Sequence, residues 1–258
     1  MSNMVQQLCP VQSCREVAMK TFLLRIDSPE IAASAQSGQF VNLLAAGTGE
    51  GPLLRRPFSI SRVEDDIIEL IFHVIGTGTN LLSQKKPGDR IDVIGPLGQP
   101  FHGNAEYDTA LLVAGGIGVA PFPFLTDDLL KRGKRIETFV GYRNAGQIFT
   151  EHLQNVHIAT DDGSNGFHGN VIQLLESCFT QNNFGKAKIF ACGPTVMLKA
   201  LTDLAKQQNI CCEMSLEGQM ACGYGICQGC AVERMDGAAK YALVCKEGTV
   251  FLSTEVNL

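Results

Sequence analysis

Over the first hundred residues, apolar side chains recur at every second position in short runs, at residues 21–26, 39–44, 67–75 and 90–94. A period of two with many β-branched residues is the mark of a half-buried strand. Turn residues such as Pro87-Gly88-Asp89 separate the runs, and their spacing predicts a small antiparallel barrel or sandwich from residue 11 to 103. One helix is expected inside it, at residues 79–85.

Beyond Gly103 the rhythm changes to strand followed by helix. Residues 109–114 read as a buried parallel strand, 121–132 as a helix closed by Gly133, and 135–140 as the next strand. A strand at 157–160, a helix at 170–178, a strand at 188–191 and a helix at 194–207 continue the pattern. This predicts an open α/β sheet, with ligands bound outside the carboxyl ends of its strands. The remainder, 211–258, is too short for a core of its own and would need a metal to hold it. The expected fold class is therefore α+β and multidomain: an antiparallel β-barrel at 1–103, an α/β open parallel sheet at 104–210, and a small C-terminal module at 211–258.

With 45% hydrophobic and 18% charged residues, a net charge of -5 and no basic stripe, the chain offers nothing to attract nucleic acid. The uncharged run at 109–125 is broken by Gly115, Gly116, Gly118, Pro121 and Pro123, so no membrane span is expected. The first residues lack a basic stretch followed by an apolar one, so no signal peptide is expected. Ten cysteines without a secretion signal suggest a reducing compartment, and hence a cytoplasmic protein whose thiols serve metals.

Four of those cysteines are patterned. Cys222, Cys227 and Cys230 follow C-x4-C-x2-C, and Cys245 comes fourteen residues later. This is the plant-type ligand spacing of a [2Fe–2S] cluster, and the interleaved glycines allow a tight loop with N–H groups near sulfur. Two readings compete: structural zinc, although zinc ribbons usually supply two short-spaced pairs, and buried apolar thiols, which would not need three in nine residues among glycines. Cys9, Cys14, Cys178, Cys211 and Cys212 show no ligand spacing, and the histidines at 73, 102, 152, 157 and 168 form no metal-binding pair. No nucleophile elbow or acid pair emerges, so no catalytic side chain is expected.

Four further stretches suit phosphates and flat rings. Arg56, Pro57, Phe58 and Ser59 place a guanidinium, a ring and a hydroxyl together, which fits a dinucleotide flavin or, more plainly, an ordinary strand edge. In such a strand Arg56 and Phe58 would face one side, Pro57 and Ser59 the other. Gly76-Thr-Gly-Thr79 enters a helix and reads equally as a phosphate cradle or a plain turn. Gly115, Gly116 and Gly118 follow a buried strand and open a helix, as a nucleotide loop does; Cys192, Gly193 and Pro194 repeat that architecture later.

Taken in order, Arg56-Pro-Phe-Ser59, Gly78-Thr79, Gly95-Pro-Leu-Gly98, Gly115-Gly-Ile-Gly-Val-Ala-Pro121, Cys192-Gly-Pro194 and the cysteine loop resemble the ferredoxin-NADP reductase superfamily. Met220-Ala-Cys-Gly-Tyr-Gly-Ile-Cys-Gln-Gly-Cys230 and Val244-Cys-Lys-Glu-Gly-Thr-Val-Phe251 narrow the resemblance to the electron-transfer subunits of NAD-dependent (class 1B) dihydroorotate dehydrogenases. It implies FAD held by Arg56, Pro57, Phe58, Ser59, His73, Val74, Ile75, Gly78 and Thr79. It also implies a [2Fe–2S] cluster on Cys222, Cys227, Cys230 and Cys245, and NAD as electron acceptor. The implied partner is an FMN-containing catalytic subunit, two copies of each forming a heterotetramer in pyrimidine (UMP) biosynthesis. Phe58 departs from the tyrosine of many superfamily members, which removes a hydroxyl and keeps the ring. Two other functions fit the same modules: the flavin subunit of a cytoplasmic hydrogenase or sulfide dehydrogenase, and a non-catalytic redox sensor.

Overall fold

The structure, a computed structural model, describes residues 4–46, 51–103 and 106–258. Seven antiparallel strands form the first unit: β1 (Val5–Ala18), β2 (Thr21–Asp27), β3 (Phe40–Leu44), β4 (Arg56–Ser59), β5 (Arg62–Glu64), β6 (Ile67–His73) and β7 (Arg90–Leu97). Their order is β4-β3-β7-β1-β2-β6-β5. The long β1 pairs with β7 through its first half and with β2 through its second, which turns the sheet a corner. The ends then meet: Phe58 of β4 packs on Phe72 of β6 with ring centroids 5.5 Å apart. Inside lie Leu24, Ile26, Val41, Leu43, Leu70 and Val93, the alternate positions of the predicted strands, all fully buried.

Two short helices decorate this barrel, α1 (Pro29–Ser34) and α2 (Thr77–Ser83). The second starts earlier than its expected range because Thr79 organises the turn: its Oγ1 accepts from the N–H groups of Ile75, at 3.0 Å, and Gly76, at 3.2 Å. That turn also ends β6 at His73, so Val74 and Ile75 lie beyond the strand assigned to them from the sequence. The long first strand from Val5 and the helix α1 were not foreseen.

The second unit is the open sheet. Its strands are β8 (Thr109–Gly115), β9 (Arg135–Tyr142), β10 (Val156–Thr160), β11 (Phe167–His168), β12 (Ala187–Cys192) and β13 (Cys211–Ser215), ordered β11-β10-β9-β8-β12-β13 and all parallel. The helices α3 (Phe122–Lys131), α4 (Val171–Gln181) and α5 (Thr195–Gln207) cover its faces. At the start of α4, Asn170 Oδ1 accepts from Ile172 and Gln173 N–H at 3.0 Å each, a capping box legible as Asn170-x-x-Gln173.

The expected boundary at 211 is corrected here, because β13 is a full strand of this sheet. Lys188 Nζ meets Glu213 Oε1 at 2.7 Å between β12 and β13, with both side chains almost wholly buried. Glu213 Oε2 also accepts from His102 N–H at 3.0 Å. A buried charge pair demands such partners, and they lock the strand in register. The expected break after Gly103 abuts residues 104–105, outside the described residues.

After β13 come β14 (Ala231–Arg234), β15 (Tyr241–Leu243), the turn α6 (Val244–Glu247), β16 (Val250–Leu252) and β17 (Val256–Asn257). Strands β15-β14-β17 make a small separate sheet, while β16 returns antiparallel to β13 at the edge of the large one. Ala242, Val244 and Val256 join the apolar cluster on one face of the open sheet, so this segment shares a core. No helix among the described residues is long and apolar enough to cross a membrane.

Candidate cofactor sites

In the open sheet, β8 sits between β9 and β12, so successive crossovers leave it in opposite directions. That reversal opens a crevice at the carboxyl ends of the strands. A cleft of about 910 Å³ occupies it, facing the barrel. Gly115, Gly116 and Gly118 line one wall with Gly193 and Pro194; Pro57, Phe58, Ser59, His73, Ile75 and Thr79 line the other. The loop after β8 is a tight 3-10 turn, Gly116–Val119, pressed onto the end of β12. A Cβ on Gly118 would run into the Cys192 carbonyl, so glycine is needed for this approach.

Several expected residues stand differently. Residues from both faces of β4 border the cleft, because β4 is an edge strand at the mouth of the barrel. Arg56, Val74 and Gly78 are not on the lining; the Arg56 side chain lies against Gly78 and donates to the Leu54 carbonyl. Cys192 ends β12 at the sheet's carboxyl edge, yet its side chain is buried, and burial pushes its thiol up. Its thiol is part of the core instead of the cleft wall, since inward alternation of a buried strand points it there. The Thr79 hydroxyl takes the Gly76 N–H expected to be free at the α2 turn, together with that of Ile75.

Other cleft residues carried no signal in sequence: Asp161, Ser215 and Glu217. Glu217 is solvent-exposed at the cleft, yet the protein around its carboxyl pushes that group up. Asp161 follows β10 at the sheet's carboxyl edge, where its N–H donates to Tyr142 O at 3.0 Å. Nothing local marks these positions, because only the sheet order brings the strand ends together.

Met220 also lines the cleft, two residues before the first patterned cysteine. The four cysteines gather as two pairs. Cys227 N–H points at Cys222 Sγ from 3.4 Å. Cys230 Sγ and Cys245 Sγ are 3.2 Å apart, far beyond a disulfide bond, and Cys245 N–H points at Cys230 Sγ from 3.4 Å. All ten cysteines are free.

Burial opposes ionisation of Cys222, but the N–H groups of Cys227, Tyr224 and Ile226 outweigh it and hold the thiol down at about 6. Cys245 is pushed up to about 12, by burial first and then by the neighbouring Cys230 sulfur. A metal centre is what lets such a crowded pair ionise together. Two pairs, each with N–H groups aimed at sulfur, suit two irons with two thiolates apiece; among the described residues no three His, Cys, Asp or Glu groups converge on one ion.

Comparison with known proteins bears on both sites. The family described as the iron-sulfur cluster binding domain of dihydroorotate dehydrogenase B matches residues 217–257. The electron transfer subunit of dihydroorotate dehydrogenase B (NAD(+)) from Desulforamulus reducens is 38% identical over 248 residues, covering 93% of this chain and 94% of that protein. Its counterpart from Bacillus caldolyticus is 36% identical, covering 96% and 97%. The chain belongs to this family.

Electron transfer subunits of dihydroorotate dehydrogenase B thus supply the frame for both sites, and the fold agrees. A solved NADH-dependent reduced ferredoxin-NADP oxidoreductase superposes with a TM-score of 0.84 at 29% identity, covering 97% of this chain and 90% of that one. A ferredoxin NADP+ reductase from Neisseria gonorrhoeae, solved with FAD and NADP, shares the fold at a TM-score of 0.66 and 18% identity, covering 78% and 91%.

Proposed function

We propose that this chain accepts electrons from the dihydroorotate-oxidising catalytic subunit at its cysteine loop and delivers them in the cleft to NAD⁺. The observation that carries the reading is one cleft walled by the barrel strand Pro57–Ser59 and by the glycine turns of the open sheet, whose lining reaches Met220, two residues before Cys222. When bound, a [2Fe–2S] cluster relays single electrons, and FAD gathers two of them for hydride exchange with nicotinamide. Cys222 and Cys227 would hold one iron, Cys230 and Cys245 the other. The aimed N–H groups then lower the charge cost of four thiolates.

On the barrel wall, Phe58 and Ser59 offer a ring and a hydroxyl to the flavin, with Arg56 and the α2 turn at Gly78 and Thr79 beside them for phosphate. The wall built by Gly115, Gly116, Gly118, Gly193 and Pro194 would take the nicotinamide dinucleotide, since bare backbone admits a close approach. Asp161 in the same cleft can accept from a ribose hydroxyl and repel an additional phosphate, which favours NAD over NADP even with Arg143 nearby. The units proposed are the barrel, the open sheet through β13 with β16, and a cluster module built on the cysteine loop and strands β14, β15 and β17.

The partner is proposed to carry FMN and to assemble with this chain two to two. Ile226, 74% exposed, and Tyr224 at the tip of the cluster loop give it an apolar landing. Thiols that are all free fit a reducing, cytoplasmic setting. Anaerobic purification with bound-cofactor analysis tests the reading. Expected are FAD and about two irons per chain, with flavin absorbance bleached by NADH; one zinc and no flavin would refute it.

A further inference from the structure

Asn42 is the polar residue in the middle of an apolar strand, Phe40–Leu44, and is wholly buried. A buried amide is costly unless its hydrogen bonds are made. Its Nδ2 makes one, donating at 2.9 Å to the carbonyl of Cys222, a residue 180 positions away. Its Oδ1 has no partner among the protein groups. Gly223, at φ 82, lies so close that a Cβ there would run into the Asn42 amide. The cluster loop therefore rests on β3 through this one side chain.

The same strand walls the cleft. Asn42 pairs with Pro57 across β3 and β4, and both Phe40 and Pro57 line the cleft. The Asn42 carbonyl accepts from Arg55 at 3.4 Å, and Arg55 is fixed by Asp92 at 2.7 Å. One stiff strand thus touches the first cluster cysteine on one side and the flavin wall on the other.

We infer that Asn42 is a positioning residue for internal electron transfer, clamping the Cys222 end of the cluster loop to the cleft wall and so setting the gap between cluster and flavin. The inference rests on the cofactor reading above. Electron transfer between fixed centres weakens steeply with separation, so a loop released from β3 lengthens the average gap and slows the transfer. A second tie lies at the other ligand segment, where Gln99 donates to the carbonyls of Lys246, at 3.1 Å, and Gly248. It holds the Cys245 side and provides a comparison.

The test is Asn42→Leu in the full chain, a change of similar volume that removes the donor. Iron and FAD contents are measured first in the unaltered chain; their absence there would refute the cofactor reading and not the clamp. The clamp is read separately by amide exchange of residues 221–225 in cluster-free protein. Loss of the hydrogen bond should speed that exchange by about five- to tenfold. In loaded protein the reduced-cluster EPR line shape should change and photoreduced cluster should pass its electron to flavin more slowly, at unchanged iron and FAD content. Gln99→Ala should leave exchange at 221–225 unchanged. Unaltered exchange, line shape and transfer rate in Asn42→Leu would overturn the inference. If that variant loses its fold or cluster, Gly223→Ala decides, because it displaces the loop from the cluster side: slower transfer supports the clamp, and an unchanged rate overturns it.

Discussion

Glu137 shows what a single side chain can hide from the sequence. Burial would raise its carboxyl, but hydrogen bonds from His157, at 2.9 Å, and Arg135, at 2.8 Å, outweigh it and hold the group below its ordinary 4.5. His157 also stacks on Phe139 with centroids 4.7 Å apart, which gives this histidine a packing role. A depressed carboxyl stabilises the fold above its unfolded value and loses that contribution as pH falls through the folded one. Glu137→Gln should therefore lower the thermal midpoint at neutral pH, by the equivalent of about 1 kcal/mol or less given the exposed partners. The difference from the unaltered chain should close below pH 4.5, and a midpoint series against pH checks it. The sequence shows only that His157 has no metal-binding partner at ligand spacing; this contact is hidden in it because strand neighbours are assigned only by the sheet.

At the β8 turn, element-level reasoning from sequence reaches the elements but not their packing. Gly115, Gly116 and Gly118 were legible as a strand-to-helix turn because a buried strand precedes them and a helix follows. Which glycine is indispensable depends on the neighbour: the end of β12 leaves no room for a Cβ at Gly118. Gly118→Ala should displace the turn at a packing cost of about 1–3 kcal/mol. Its KM for NADH should rise while FAD content stays at the wild-type level, read by steady-state kinetics with an artificial acceptor. Equal loss of FAD would mean that the turn supports the barrel as well. The element boundaries behave similarly. The strand at Cys211–Ser215 lacks a glycine or proline signal to set it apart, and its place in the sheet comes from β12 pairing and the Lys188–Glu213 contact.

For the whole molecule, the question is how far the cluster module supports the rest. Ala242, Val244 and Val256 share the sheet's apolar cluster, and β16 pairs with β13, so packing ties the C-terminal segment down without metal. Cys227→Ala should accordingly lose the cluster and the dihydroorotate-coupled reduction of NAD⁺ in the assembled complex. FAD content and NADH oxidation with an artificial acceptor should persist. Loss of flavin with the cluster would show that the metal, more than packing, holds the module. By itself the sequence determined most of the alternating strands, the helix starts of the open sheet, the glycine turns and the cysteine spacing, because each is written within a few neighbouring residues. Only the tertiary structure decided the pairing of Cys222 with Cys227 and Cys230 with Cys245, the sheet strand beyond residue 210, the burial of Cys192 and the contact of Asn42 with Cys222. Most of these depend on residues far apart in the chain, and sheet order and side-chain packing, which no local pattern encodes, bring them together.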